Sequence, residues 1–90
     1  MEKKKNGWHV YMIRCRDGSL YTGISNDVAR RFETHQTMGK HAAKYLRGRG
    51  PLELVFQKEI GSRSSALKVE RTIKKFSRSQ KEKIVHAGDI

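Results

Sequence analysis

The sequence predicts one α+β domain built on a three-stranded antiparallel sheet flanked by helices. Two short apolar segments around an Asp-Gly turn come early in the chain, and a third segment with alternating apolar residues follows in its middle. Capping residues precede the remaining segments, which have apolar residues at helical spacing. The expected order is two strands, a helix, a short helix, a third strand and two helices. With 90 residues, the chain forms a single small domain with a thin core.

The first two strands are predicted over residues 8–15 and 20–25, and they form a hairpin. Two loop lengths fit the residues between them. A two-residue loop at the Asp-Gly pair would place Tyr11 and Tyr21 on opposite faces of the sheet. A three-residue loop with Gly18 in the left-handed conformation would place both tyrosines on one face.

The three-residue loop gives each face of the hairpin a consistent character, and we therefore predict it. It pairs Cys15 with Ser19 across the loop. Tyr11, Tyr21 and Gly23 then share a functional face, and we expect the glycine to leave open space where a phosphate can approach. The side chains of the opposite, apolar face are Val10, Met12, Leu20 and Ile24.

The first helix is predicted to begin after Asn26 or Asp27, either of which can cap it, and to end near residue 38. A short helix at about residues 42–46 and a third strand over residues 52–59 follow.

Ser62 or Ser64 caps the next helix, which extends to about residue 76 and has one apolar stripe. A last helix is expected over about residues 78–85. Residues 1–7 are expected to be a basic, flexible segment, residues 8–85 the domain, and residues 86–90 a loose C-terminus.

The charge of the chain predicts a polyanionic partner. Lys and Arg total 20 against 9 Asp and Glu, a formal net charge of +11, which favours nucleic acid ahead of an anionic membrane. No apolar run approaches the roughly 18 residues of a membrane-spanning helix, and no secretory signal is visible. Cys15 is the only cysteine, so we expect no disulfide, no structural zinc site and a reducing, cytoplasmic location.

Five residues along the chain have side chains suited to phosphodiester cleavage. A phenol can accept a proton from water, a guanidinium can bind a phosphate, and a carboxylate can hold a divalent metal. The five are Tyr11, Tyr21, Arg31, His35 and Glu70. Arg31 and His35 lie four residues apart on the predicted helix, so both can reach the same ligand.

The order and spacing of these residues resemble the GIY-YIG nuclease domain, named for two tripeptides on its first two strands. Residues 9–11 (His-Val-Tyr) and 21–23 (Tyr-Thr-Gly) match those tripeptides, with His9 in place of the first Gly and Thr22 in place of Ile. The family also has an Arg ten positions after the second Tyr, a His one turn later, and a Glu on a later helix.

The resemblance covers nearly the whole chain, from about Trp8 to Ile84. It looks closest to the small stand-alone bacterial members, the YhbQ-like group, in residues 39–44, 47–56 and 63–67. It implies the GIY-YIG fold, ββα, short α, βαα.

The resemblance also implies a divalent-metal-dependent endonuclease that hydrolyses DNA, in repair or recombination. Tyr11 would accept the proton of the attacking water, and Tyr21 would position that water or the phosphate. Arg31 would bind the scissile phosphate, and His35 would act near the phosphate or assist the proton acceptor. Glu70 would hold Mg²⁺ or Mn²⁺.

Each of these residues also has an ordinary structural interpretation. The tyrosines would be unremarkable strand aromatics in most chains, and Arg31 and His35 would be ordinary surface residues of a helix. Glu70 has Lys74 one turn away and could simply be its ion-pair partner.

Further basic residues are expected to contact the nucleic-acid backbone without reading its sequence. They are Lys44, Arg47, Arg49, Lys74 and Lys75.

A binding module with little or no cleavage is the alternative function. The domain stands alone and His9 alters the first tripeptide, which favours this alternative. A small RNA-binding protein is a third hypothesis, although no paired aromatic motifs support it. A metal requirement discriminates, because binding through charge weakens with salt but does not need Mg²⁺. The preferred substrate and the oligomeric state stay open.

Overall fold

A β-hairpin lies at the centre of the computed structural model, which describes residues 7–37 and 43–90. Strand β1 (Trp8–Arg14) pairs antiparallel with β2 (Leu20–Ser25). The N–H of Cys15 donates to the carbonyl of Ser19 at 2.9 Å, and Gly18 has a φ of 88°. The loop therefore has three residues with a left-handed glycine, and the predicted register is confirmed.

Strand β3 (Glu53–Gly61) pairs antiparallel with the other side of β1, so the strand order is β2-β1-β3. The predicted three-stranded α+β fold is confirmed. Because β1 is central, the four residues from Val10 to Ile13 are at most 1% exposed. A continuous apolar run, rather than a strict alternation, is what a strand covered on both faces requires.

Three α-helices surround the sheet, and each begins at a predicted type of cap. Helix α1 (Val28–Gln36) begins after Asp27, whose side chain accepts from the backbone of Arg30. Ser62 caps α2 (Arg63–Lys74) in the same way.

Helix α3 (Arg78–Ala87) follows with a capping box between Ser77 and Gln80. It ends two residues later than expected, so the first two residues of the expected loose C-terminus are helical. Gly88 explains this end, because its φ of 72° supplies the left-handed cap that a residue with a side chain rarely adopts.

The short helix is one 3₁₀ turn, Lys44–Leu46. Helix α1 ends at Gln36, two residues before the expected end, with Thr37 as its C-cap. The residue expected to begin the short helix lies in 38–42, outside the described residues. The expected flexible segment, apart from Gly7, also lies outside them. No helix in the described part of the chain is long and apolar enough to cross a membrane.

Both faces of the sheet are covered. Val10 and Met12 face α2 and α3, where they pack with Ala66, Ile73 and Ile84. The residues on the other face pack with α1 and the 3₁₀ turn; they are Tyr11, Ile13, Cys15, Val28, Leu46 and Leu52. The face that we expected to be functional is therefore also a packed core.

Candidate active site

Tyr11 lies at the centre of the site, on the middle strand, and is only 1% exposed. Its cross-strand partner is Gly23. A Cβ atom at Gly23 would lie 2.6 Å from Tyr11 Oη and 2.7 Å from its Cζ. The space that we expected to admit a phosphate is thus filled by the tyrosine ring, and this expectation was wrong. The glycine is needed because the aromatic ring lies directly against its backbone.

Helix α1 brings two donors to the Tyr11 hydroxyl. His35 Nε2 lies 2.9 Å from Tyr11 Oη, and the Arg31 guanidinium hydrogen-bonds to the same oxygen. The two residues are one turn apart on one face of the helix, as predicted. Val28, on the same helix, anchors α1 against this side of the sheet.

The hydrogen bonds of His35 define its tautomer. The N–H of Ala43 donates to His35 Nδ1 at 3.1 Å, so Nδ1 is an acceptor and carries no proton. The neutral ring then carries its proton on Nε2 and donates to Tyr11 Oη. Burial, together with the positive charge of Arg31, lowers the pKa of His35 to about 4, so the ring is neutral at pH 7.

His35 is fully buried. Both roles that the family resemblance implied for His35, action near the phosphate and assistance to the proton acceptor, stay predictions. Its contact with Tyr11 Oη is the geometry that the second role would use.

The environment of Tyr11 keeps its hydroxyl protonated in the described structure. Burial, the neighbouring Tyr21 and the Glu70 carboxylate raise the pKa of Tyr11, and the charge and hydrogen bond of Arg31 oppose them. Arg31 and His35 both donate hydrogen bonds to the phenol oxygen. The same two hydrogen bonds would stabilise the negatively charged phenolate form of Tyr11. Loss of the proton would therefore need an additional cation nearby.

Tyr21 connects the buried part of the site to the surface. Its ring centroid lies 6.3 Å from that of Tyr11 and 5.7 Å from that of His35, edge-on to the imidazole. On its other side it stacks on Tyr45, with centroids 5.9 Å apart and an interplanar angle of 30°. Tyr21 is half-buried and so is more accessible to a ligand than Tyr11.

Glu70 reaches the site from a helix on the opposite face of the sheet. Its neighbours Ala66 and Ile73 pack on that face, yet its carboxylate contributes to the raised pKa of Tyr11. The side chain is 17% exposed, and Lys74 Nζ lies 3.3 Å from Oε2. The ion pair with Lys74 that the sequence left open is therefore present.

A metal ion would find one carboxylate here. Among residues 7–37 and 43–90, no group of three or more His, Cys, Asp or Glu could hold a metal. Mg²⁺ is commonly bound through one or two carboxylates and keeps water and substrate phosphate as its remaining ligands. A single partly exposed carboxylate beside the tyrosines fits such an ion, whereas a site made entirely of protein ligands does not fit.

Two of the basic residues expected to bind nucleic acid lie beside the tyrosines. The Arg49 guanidinium carbon is 4.5 Å from the Tyr45 ring centroid, and Lys74 lines a cavity together with Tyr21 and Tyr45.

The other three are exposed; they are Lys44, Arg47 and Lys75. Tyr45 was missed by sequence reasoning. The signal available was an aromatic residue placed between basic ones.

His9, which replaces the first Gly of the family tripeptide, leaves the sheet intact. It pairs with Ser25 on β2 and with Glu59 on β3. Its Nδ1 is buried and has no hydrogen-bond partner among the described residues. The substitution therefore does not displace Tyr11, which lies two positions later on the same strand.

The fold and this constellation define a small nuclease domain. A family model described as the GIY-YIG catalytic domain matches residues 7–83. The chain belongs to the GIY-YIG family, whose members are nucleases that generally use divalent metal ions. The matched range includes all five residues of the predicted catalytic set.

Similar proteins carry the family designation UPF0213. The UPF0213 protein of Yersinia pestis strain Pestoides F is 56% identical over 78 residues, which are 87% of this chain and 80% of that protein. A UPF0213 protein of Yersinia pseudotuberculosis serotype O:3 strain YPIII matches to the same extent.

Two solution NMR structures share the fold. The UPF0213 protein BH0048 of Bacillus halodurans has a TM-score of 0.57 and 44% identity, covering 89% of this chain and 83% of that one. The protein EF2693 of E. faecalis has a TM-score of 0.61 and 34% identity, covering 97% and 90%. These relatives agree with membership of the small stand-alone, YhbQ-like group.

Proposed function

We propose that this protein is a divalent-metal-dependent endonuclease that hydrolyses phosphodiester bonds in DNA. The observation that carries the proposal is the Tyr11 hydroxyl, which Arg31 and His35 hold from one helix face. A buried tyrosine in an ordinary core needs one hydrogen-bond partner. Tyr11 has two, Arg31 and His35, and the nearby Glu70 carboxylate also affects its pKa. The arrangement suits an oxygen that gains negative charge during a reaction.

Arg31 is proposed to bind the scissile phosphate while it holds Tyr11. A guanidinium has five N–H donors in a planar fork, so it can contact the phenol oxygen and a phosphate oxygen together. Its charge would offset the negative charge that develops on the phosphate in the transition state.

Tyr11 is proposed to accept the proton of the attacking water, and Tyr21 to position that water or the phosphate. Hydrogen bonds from His35 and Arg31 would stabilise the phenolate form that this role requires. Because Tyr11 is buried, the attacking water must be bound beside the half-exposed Tyr21 before it reacts.

Glu70 is the proposed ligand of Mg²⁺ or Mn²⁺. When bound, the ion would supply charge stabilisation for the leaving 3′ oxygen, and the products would carry a 5′ phosphate and a 3′ hydroxyl. A cation there would also offset the effect by which the Glu70 carboxylate raises the pKa of Tyr11. The proposal assigns this activity to DNA repair or recombination in the cytoplasm, on the family resemblance.

One observation favours the alternative of a nucleic-acid-binding module without cleavage. Lys74 forms an ion pair with Glu70, and a carboxylate neutralised in this way attracts a metal ion less strongly. For cleavage, the metal or the substrate phosphate must draw Lys74 away. Lys74 is exposed, and surface ion pairs are worth only about 0–1 kcal/mol, so this displacement costs little.

Cleavage of labelled single-stranded, duplex and branched DNA, with Mg²⁺ or with EDTA, tests the proposal. Glu70→Gln should abolish metal-dependent cleavage. Glu33→Gln, an exposed substitution on α1 with the same change in charge, should retain it. Salt-sensitive binding without cleavage by the wild type on every substrate would replace the nuclease proposal with the binding module.

A further inference from the structure

Tyr45 is an exposed aromatic residue placed beside the candidate active site. It is 43% exposed, and in the described part of the chain only the C-terminal Ile90 is another exposed large apolar residue. Its ring stacks on Tyr21, which in turn contacts Tyr11. A single exposed aromatic residue is ordinary on a protein surface, so a function of Tyr45 has to be inferred from its neighbours.

The Tyr45 ring has the partners that a nucleobase platform needs. The Arg49 guanidinium lies over the ring, 4.5 Å from its centroid, and also pairs with Asp17 at 2.9 Å. Aromatic rings and guanidinium planes are the groups on which proteins stack unpaired bases. Arg49 is itself 40% exposed, so an entering base can displace it from the ring or stack against it.

A cavity of about 290 Å³ beside this ring has room for a single planar base. Its lining residues are Leu20, Tyr21, Thr22, Tyr45, Lys74 and Lys81. The two lysines give it a positive charge, and the rings of Tyr21 and Tyr45 give it flat apolar walls.

The wall formed by β2 offers hydrogen bonds. Strand β2 is an edge strand, and the bond between Cys15 and Ser19 fixes which residues face β1. Hydrogen-bonded and non-hydrogen-bonded pairs alternate along an antiparallel ladder, and Thr22 belongs to a non-hydrogen-bonded pair. Its backbone N–H and C=O therefore point away from β1, toward the open edge. The Thr22 Oγ1 is also buried without a hydrogen-bond partner in the described structure. The backbone N–H and C=O of Thr22 can meet the polar edge of a base, whereas the enclosed Oγ1 cannot.

A second basic cavity, of about 320 Å³, is lined in part by Arg49. Its lining includes Arg16, Arg47 and Arg49, partly offset by Asp17. Arginines are suited to phosphate oxygens because their donors are arranged in a planar fork. Arg49 both contacts the Tyr45 ring and lines this second cavity, which puts a candidate phosphate site next to the ring.

We propose that Tyr45 is a stacking platform for an unpaired nucleobase adjacent to the scissile phosphate, and that the preferred substrate has unpaired bases at the cleavage point. A base inside a duplex is already stacked on its neighbours and cannot lie on a protein ring without being extruded. The proposal rests on the proposed function for the choice of nucleic acid as ligand. The Arg16, Arg47 and Arg49 cavity would then hold the phosphate of the neighbouring nucleotide.

Binding of a short labelled single strand and of the matching duplex, measured by fluorescence anisotropy in EDTA, tests this platform. We expect Tyr45→Ala to weaken single-strand binding by roughly 5- to 150-fold, as loss of one base–aromatic stack does, and to change duplex binding little. Tyr45→Phe keeps the ring and should bind like the wild type, and Tyr45→Leu should behave like the alanine variant. Circular dichroism verifies that each variant is folded.

Lys75→Ala is the control for charge alone. It removes an exposed cation at the end of α2 and should weaken single-strand and duplex binding alike. The platform is rejected if Tyr45→Ala binds the single strand like the wild type, or if it weakens single-strand and duplex binding equally. It is also rejected if Tyr45→Phe weakens single-strand binding as much as Tyr45→Ala does. Since binding in EDTA is independent of cleavage with metal, the platform and the nuclease function can fail separately.

Discussion

Gly23→Ala is the substitution whose consequence follows most directly from the geometry. The added Cβ would lie 2.6 Å from Tyr11 Oη and 2.7 Å from Cζ, so the ring must move. Overpacking of this kind costs about 1–3 kcal/mol. Movement of the ring also takes the hydroxyl away from the buried His35, and an unsatisfied buried donor costs a further 1–3 kcal/mol or so.

Replacement of the glycine also stabilises the strand, because glycine in a strand interior is disfavoured relative to alanine by roughly 0.5–1 kcal/mol. This gain offsets part of the lost free energy of unfolding. We therefore expect Gly23→Ala to lower the free energy of unfolding by about 3 kcal/mol. Urea denaturation followed by the fluorescence of Trp8, the only tryptophan, measures this value. A domain of ordinary stability, about 5–15 kcal/mol, would stay mostly folded.

Gly48→Ala is the control for backbone conformation. Gly48 has a φ of 75° and no atom within 4 Å of an added Cβ, so only the left-handed conformation is penalised. We expect a loss of about 1–2 kcal/mol in the free energy of unfolding. If Gly23→Ala were no more destabilising than Gly48→Ala, the close packing of Tyr11 on Gly23 would be refuted.

Two further predictions concern the hydrogen bonds at Tyr11. Tyr11→Phe should leave the His35 Nε2–H without an acceptor and so lower the free energy of unfolding by about 1–3 kcal/mol. It should also slow cleavage by roughly 10²–10⁴-fold. Tyr45→Phe, the control, should change neither the stability nor the cleavage rate. Equal cleavage rates for Tyr11→Phe and the wild type would remove Tyr11 from the mechanism. The pKa of His35 is about 4 in the folded state and 6.5 as a free side chain, so the unfolded chain binds the additional proton between these values. The stability that His35 contributes is thus present above pH 6.5 and is lost as the pH falls toward 4, and His35→Gln should flatten this part of the stability–pH curve. An unchanged curve in His35→Gln would contradict the assigned neutral state.

Local signals in the sequence were sufficient for much of the fold. The hairpin register followed from one glycine in a three-residue loop, because a shift of one residue would exchange the two faces of the strands. The pairs Asn26/Asp27 and Ser62/Ser64 located two helix starts, since a cap acts on backbone groups two or three residues away, and Asp27 and Ser62 are the caps in the structure. The spacing of the tyrosines, Arg31 and Glu70 indicated the family, which the match over residues 7–83 established.

Tertiary structure decided how these residues are arranged. Tyr11 and His35 are separated by 24 positions, and no local pattern specifies which imidazole nitrogen will meet the phenol. The backbone of Ala43 makes that choice, because its donation to Nδ1 leaves the proton on Nε2. The filling of the Gly23 space by a ring and the exposure of Tyr45 beside Tyr21 likewise depend on packing between distant segments. Sequence spacing thus indicated which residues form the candidate site, and packing across the sheet determined their protonation, burial and accessibility, because these depend on neighbours far along the chain.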